Sequence, residues 1–172
     1  MSDAVVSDVV IVPFAPRHTA AWTALNEAWI ARLFVIEPRD RLVLDDPVGQ
    51  ILDPGGHILM AEMDGRPVGC CALIAMPDGG YELAKMAVDE TLRSRGVGKR
   101  LMAAAVALAR ELKAPRLYIE TNSSLKNAIG LYEAHGFRRL PAQPTAYARC
   151  DVWMELTLAP DREAGRRLSP RR

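Results

Sequence analysis

LRSRGVGKRL, residues 92–101, sets four basic side chains around two glycines in a chain whose 172 residues carry a net charge of only +1. What flanks it decides the fold. Before it, YELAKMAVD (81–89) reads as a strand. After it, Val97, Leu101, Ala105, Leu108 and Leu112 recur at helical steps, with alanines between them that favour helix, until Pro115 stops the pattern. The stretch is therefore a strand-to-helix turn. A helix start presents unpaired N–H groups and the positive end of a dipole, and so attracts anions. Gly96 and Gly98 let the backbone turn back and approach a ligand closely, their N–H groups forming a concave nest. Residues Arg93, Ser94, Arg95, Gly96, Val97, Gly98, Lys99 and Arg100 are thus expected to cradle phosphate, a pyrophosphate above all. A dinucleotide-binding fingerprint would need a third glycine where Leu101 stands, and a Walker A loop would need Ser or Thr where Arg100 stands. Taken alone, RxxGxG fits a solvated charge cluster at a helix start equally well.

Working outward, VVSDVVIVPF (5–14) alternates as a strand, and from Pro16 the period turns helical, with Trp22, Leu25, Trp29 and Leu33 on one stripe. EPRDRLVLDDP (37–47) reads as a loop and a short helix, and DPGG (53–56) as a turn. HILMAEMDG (57–65) and RPVGCCALIAM (66–76) are two apolar runs joined at Asp64-Gly65, a strong hairpin signal. After the helix, RLYIET (116–121) is a buried strand, and SLKNAIGLYEAHGF (124–137) a helix with Leu125, Ile129 and Tyr132 on one side and Gly136 as its left-handed cap. DVWMELTL (151–158) is a last strand. Strands joined by tight turns are antiparallel, and a strand–helix–strand crossover is parallel. The expected class is α/β: a mixed, mostly antiparallel central sheet with helices on both faces. Residues 1–159 form one domain in this reading, and 160–172 a polar, disordered tail.

The totals narrow the function. A hydrophobic content of 49% suits a packed core, and a near-neutral chain without interleaved aromatics argues against nucleic acid. No apolar run suits a membrane span, and the N-terminus lacks the regions of a signal peptide. Cys70, Cys71 and Cys150 make neither a disulfide framework nor a metal cluster, so no metal is expected and a reducing cytoplasm is the default.

The spacing Arg93-x-x-Gly96-x-Gly98, preceded by ELAKMAV (82–88) and followed by the alanine-rich helix, resembles motif A of the GNAT superfamily of acetyl-CoA-dependent N-acetyltransferases. NAIGLYEAHGF (127–137) is similar to that family's second signature. The likeness is strong over 81–137 and fair over 57–80 and 138–158. NEAWI (26–30), EPRD (37–40) and LDDP (44–47) are similar to a bacterial subgroup, some of whose members are fused to MarR-type regulators; no regulator domain fits in this chain.

The resemblance implies chemistry. In the family, the strand before the cradle splays at a bulge, and its main-chain groups pair with the pantetheine of coenzyme A. By match these belong to Met86, Ala87 and Val88. Tyr132 stands at the general-acid position, where a phenol can protonate the departing thiolate without first ionising. Asn127 matches an asparagine that anchors the cofactor or the loop before it, and Asn122 is a further cap or contact. Glu82, a carboxylate on an apolar strand, is the first choice of base and Glu120 the second; water-mediated deprotonation would need neither. The acceptor pocket is expected from Asn26, Trp29, Ile30, Phe34, Tyr147 and Arg149. Arg149 either holds an acceptor carboxylate or pairs with Asp151, and Trp29 fits the core equally well. His57 and His135 read as structural. No helix start or histidine activates Cys70 or Cys71, so a covalent enzyme intermediate is not indicated.

The expected function is transfer of an acetyl group from acetyl-CoA directly to a primary amine of a small molecule or peptide. The alternative is a module that binds and senses acyl-CoA without turnover. Neither nucleic acid nor membrane is an expected partner, and a two-fold homodimer is compatible with the sequence.

Overall fold

A computed structural model describes residues 8–158. The expected beginning of the first strand at residue 5 and the expected tail from residue 160 lie outside the described residues. Strand β1 (Val9–Pro13) and a single 3-10 turn lead into helix α1 (Thr19–Leu33), then helix α2 (Pro38–Asp45) and a π-turn over Val48–Leu52. Strands β2 (His57–Met63), β3 (Arg66–Ala75) and β4 (Tyr81–Val88) follow, then helix α3 (Val97–Glu111), strand β5 (Arg116–Thr121), helix α4 (Lys126–Ala134), and strands β6 (Arg138–Leu140) and β7 (Val152–Thr157).

Among the described residues the seven strands lie in the order β1-β2-β3-β4-β5-β7-β6, and β4–β5 alone is a parallel pair. The mixed, mostly antiparallel sheet read from the turn chemistry is the sheet observed. At the β2–β3 hairpin Asp64 and Gly65 both take positive φ, 51° and 74°, the left-handed pair that a two-residue turn needs between right-twisted strands. The short strand β6, which pairs with β7, has only three residues and leaves too little pattern to read from sequence.

Central β3 is buried on both faces. Cys70 and Ala72 point into a core beneath α1 and α2, with Trp22, Ile30, Val43, Leu44, Ile58 and Met60. Cys71 and Leu73 point into the opposite core, with Leu101, Met102, Ala105, Ile119, Ile129 and Met154, beneath α3 and α4. Helices thus cover both faces. Two stripes shift from their expected places. In α1 the buried line is Trp22, Asn26 and Ile30, while Leu33 is 49% exposed. Asn26 is drawn inward because its amide donates to Trp22 O at 2.9 Å and reaches Cys70 Sγ at 3.4 Å. In α3 the line is Val97, Leu101, Ala105 and Ala109, and Leu112 is 39% exposed. Leu108, expected on the stripe, is only partly buried and packs at its edge.

Two departures from regular pairing open the sheet. The β3–β4 register passes from Ala72↔Ala84 to Cys70↔Ala87, so Lys85 and Met86 together face the single residue Cys71. Beyond Glu82↔Tyr118 the parallel pair β4–β5 stops, while β4 runs on to Val88 and β5 to Thr121. The two strands diverge, and the edge of β4 from Leu83 onward faces a gap.

Candidate active site

That gap is the floor of a cleft of about 1020 Å³. Glu82 to Val88 of β4 and Glu120 to Asn122 at the end of β5 form its two sides. Asn127, Ala128, Leu131 and Tyr132 of α4 wall one flank, and Trp29, Arg32 and Phe34 at the end of α1 wall the other.

At one mouth stands the turn into α3. Gly96 takes φ +79° as the residue that caps the helix, and no side chain caps it. Among the described residues, the amides of Gly96, Val97, Gly98 and Lys99 donate to no protein acceptor. A Cβ added at Gly98 would meet nothing closer than Leu131 Cδ2 at 3.8 Å, and one at Gly96 nothing within 4 Å. Open space above unpaired amides at a helix start, with Arg93 and Lys99 on its rim, suits an anionic group. Ser94 contributes an unexpected third kink, a left-handed φ of 68° at a residue with a side chain. Of the eight expected cradle residues, Arg93, Ser94, Gly96, Val97, Gly98 and Lys99 line the cleft. Arg95 and Arg100 do not: Arg95 is exposed, and the Arg100 guanidinium bonds the carbonyl of Val9 instead.

Deeper in the cleft stand Met86, Ala87 and Val88, with Tyr132 opposite. Tyr132 packs its ring 5.9 Å from that of Phe137, and burial, with a smaller contribution from Cys71, pushes its hydroxyl up to about 12. It therefore stays protonated at neutral pH and available as a donor. Glu82 makes no hydrogen bond among the described residues; burial, then repulsion from Glu120, pushes its carboxyl up to about 7. Glu120, by contrast, accepts from Tyr118 at 3.1 Å and from Thr145 at 2.8 Å. Asn122 lines the cleft and ties its loop, donating to Arg149 O at 2.7 Å and accepting from Ser124 N–H at 2.9 Å. Asn127 lines the cleft from an exposed position.

Four of the expected acceptor residues, Trp29, Phe34, Tyr147 and Arg149, line the cleft. Asn26 and Ile30 do not: both are fully buried in the core beneath α1. Arg149 does not pair with Asp151. It bonds Asp40 and Glu37, and Asp151 is taken by Ser123. His57 stacks edgewise on Tyr81, and His135 bonds Leu131 O at 2.9 Å, both consistent with structural roles. Cys70 and Cys71 are sealed in the core, and burial holds both thiols well above their ordinary range. The residues that sequence reasoning passed over are Lys85, Asp40 and Glu37. A lysine among Leu, Ala, Met and Val in a strand was the available signal, since a buried ammonium needs an acid.

The model of the acetyltransferase (GNAT) family matches residues 19–137, which include the turn into α3, the diverging strands and α4. The chain belongs to that family. As a GNAT member it is an acyltransferase by class. It is 33% identical over 115 residues to the N-acetyltransferase YjgM of Escherichia coli, covering 63% of this chain and 69% of the relative. The next two curated relatives are spanned over 56% and 66% of their length. A GNAT-family acetyltransferase from Staphylococcus aureus superposes with a TM-score of 0.80 at 20% identity, covering 88% of this chain and all of that one, which shows the shared fold. The PaiA N-acetyltransferase of Thermoplasma acidophilum, solved in complex with coenzyme A, superposes with a TM-score of 0.71 at 15% identity, over 88% of this chain and 99% of its own.

Proposed function

We infer that the protein transfers an acetyl group from acetyl-CoA directly to a primary amine of a small molecule or peptide. One observation carries this reading: a single cleft joins unpaired helix-start amides at its mouth to a splayed strand edge, a protonated tyrosine and a carboxylate poised near neutrality. Acetyl-CoA, when bound, supplies the activated acetyl thioester. The amides of 96–99 hold its diphosphate, helped by Arg93 and Lys99. The main chain of Met86 to Val88 pairs with the pantetheine arm as an added strand would. Their amides are also the donors nearest the thioester oxygen, where negative charge develops during attack.

Glu82 takes a proton from the acceptor ammonium, directly or through water. A carboxylate at about 7 is ionised enough to accept and basic enough to be useful. The freed amine attacks the carbonyl carbon, the C–S bond breaks, the Tyr132 hydroxyl gives its proton to the leaving sulfur, and the second proton that the nitrogen loses as the amide forms restores the phenol, directly or through water. Asn122 and Asn127 shape the loop and helix start beside the cofactor, and Trp29, Phe34 and Tyr147 wall the acceptor end.

The test is thiol release from acetyl-CoA over amino acids, polyamines, aminoglycosides and peptide N-termini, alongside calorimetric titration with coenzyme A. Binding with turnover of an amine supports the reading. Binding without turnover of any class would mark a sensing module, and no binding would remove both.

A further inference from the structure

The EPRD stretch at the start of α2 ends on Asp40, a carboxylate with no exposed surface. It receives the Glu37 N–H at 2.9 Å, Lys85 Nζ at 2.6 Å, and Arg149 Nη1 and Nη2 at 2.7 Å each. These partners come from three separate parts of the chain: α2, β4, and the segment between β6 and β7. Lys85 also reaches the Tyr147 hydroxyl at 3.2 Å, and the Lys85 and Arg149 cations each lie 4.7 Å from the centre of the Tyr147 ring. Glu37 completes the knot by accepting from the Ala148 N–H at 2.8 Å and from Arg149 at 3.2 Å.

Lys85 is also one of the two residues of the β4 bulge. Its φ is +53°, a conformation that a residue with a Cβ keeps only where its surroundings impose it. The other end of the same side chain is pinned by Asp40 at 2.6 Å. The bulge adjoins Met86, whose main chain lines the cleft, and Tyr147 walls the cleft's far end. A buried ionic cluster is a poor device for stability, because apolar side chains of like volume often serve as well or better. It is a good device for fixing one geometry.

We propose that Asp40 is a positioning residue for acyl transfer: through Lys85 it fixes the β4 bulge, and through Arg149 it fixes the Tyr147 wall, so that one carboxylate sets strand edge and acceptor wall in register. The proposal rests on the acetyl-transfer reading above. A misplacement of about 1 Å at such an edge is enough to lower turnover about 100-fold.

The test uses Asp40→Asn and the triple variant Asp40→Leu, Lys85→Met, Arg149→Met, which removes the buried carboxylate together with both of its cations, leaves only the less buried Glu37 charged, and so leaves no buried charge of the knot without a partner. Asp45→Asn, an exposed carboxylate on the same helix, is the control. Coenzyme A affinity is read by calorimetry. Enzyme-dependent thiol release from acetyl-CoA is read with hydroxylamine as the acceptor probe, small enough to enter any acceptor pocket. The expected result is a cooperatively melting triple variant with coenzyme A affinity within about twofold of wild type and kcat lowered about 10- to 100-fold at nearly unchanged KM for acetyl-CoA. Asp45→Asn should match wild type. A folded triple variant with wild-type kcat overturns the proposal while leaving the acetyl-transfer reading intact. Wild-type protein that binds coenzyme A but releases no thiol with hydroxylamine or with any of the amine classes named above overturns the reading, and the proposal with it.

Discussion

Arg149 holds Asp40 with both ends of its guanidinium, Nη1 to Oδ2 and Nη2 to Oδ1, each at 2.7 Å. Burial alone would raise the Asp40 pKa; hydrogen bonds from Arg149 and then Lys85 outweigh it and hold the carboxyl far below the usual range. Both terminal nitrogens of the arginine are therefore already bonded to carboxylates of the chain. Arg149→Met should leave a buried charge short of partners and destabilise the fold by about 3 kcal/mol or more, measured by denaturant unfolding. It should not change the ratio of rates between an amino acid and its amide. A selective loss for the amino acid would return Arg149 to substrate recognition.

Glu82 titrates near pH 7 in the folded chain, against 4.5 when unperturbed. The folded state therefore holds a proton that the unfolded state has lost. Its contribution to stability is complete below about pH 4.5 and is lost as pH rises through about 7, by up to about 3 kcal/mol. Glu82→Gln should flatten that decline in melting scans between pH 5 and 8. The same substitution should abolish the rise of kcat/KM with pH centred near 7; an unchanged profile would assign the proton to water or to Glu120.

Gly98→Asp places a carboxylate where the structure leaves room, with only Leu131 Cδ2 at 3.8 Å from the new Cβ. Stability should barely change. Coenzyme A affinity should fall at least about tenfold, since a negative charge then faces the diphosphate. Unaltered affinity in calorimetry would place the diphosphate elsewhere.

Tyr132→Phe removes a hydroxyl that makes no hydrogen bond among the described residues. The melting temperature should hold while kcat falls about 100-fold, with coenzyme A affinity unchanged. Full activity in the phenylalanine variant would take the acid role from Tyr132.

Cys150 is half-buried at the wall of the cleft, whereas Cys70 and Cys71 are sealed. Iodoacetamide on the native protein should modify Cys150 first, slowly because burial raises its pKa, and coenzyme A should slow it further. Peptide mass mapping reads all three thiols. Native labelling of Cys70 or Cys71 would mean that the sheet opens.

The turn at 96–98, the Asp64-Gly65 hairpin, the crossover through α3 and the cap at Gly136 are all written in short stretches of sequence. Backbone conformation and hydrophobic period are set by residues within one turn or one strand of each other, so these elements could be read in order. The stripes of α1 and α3 were harder. Which turn of a helix touches the sheet depends on what lies beneath it, and an asparagine at 26 gains a partner outside its own helix only once Cys70 is under it.

The sequence by itself determined the order of strands and helices, the glycine turn into α3 and the positions of Glu82 and Tyr132. Tertiary structure alone decided that Lys85 and Arg149 converge on Asp40, from 45 and 109 residues away. The physical reason is reach. Local geometry is fixed by neighbours along the chain, whereas a buried charge is satisfied by whatever the fold brings within about 3 Å, and no periodic pattern records that meeting.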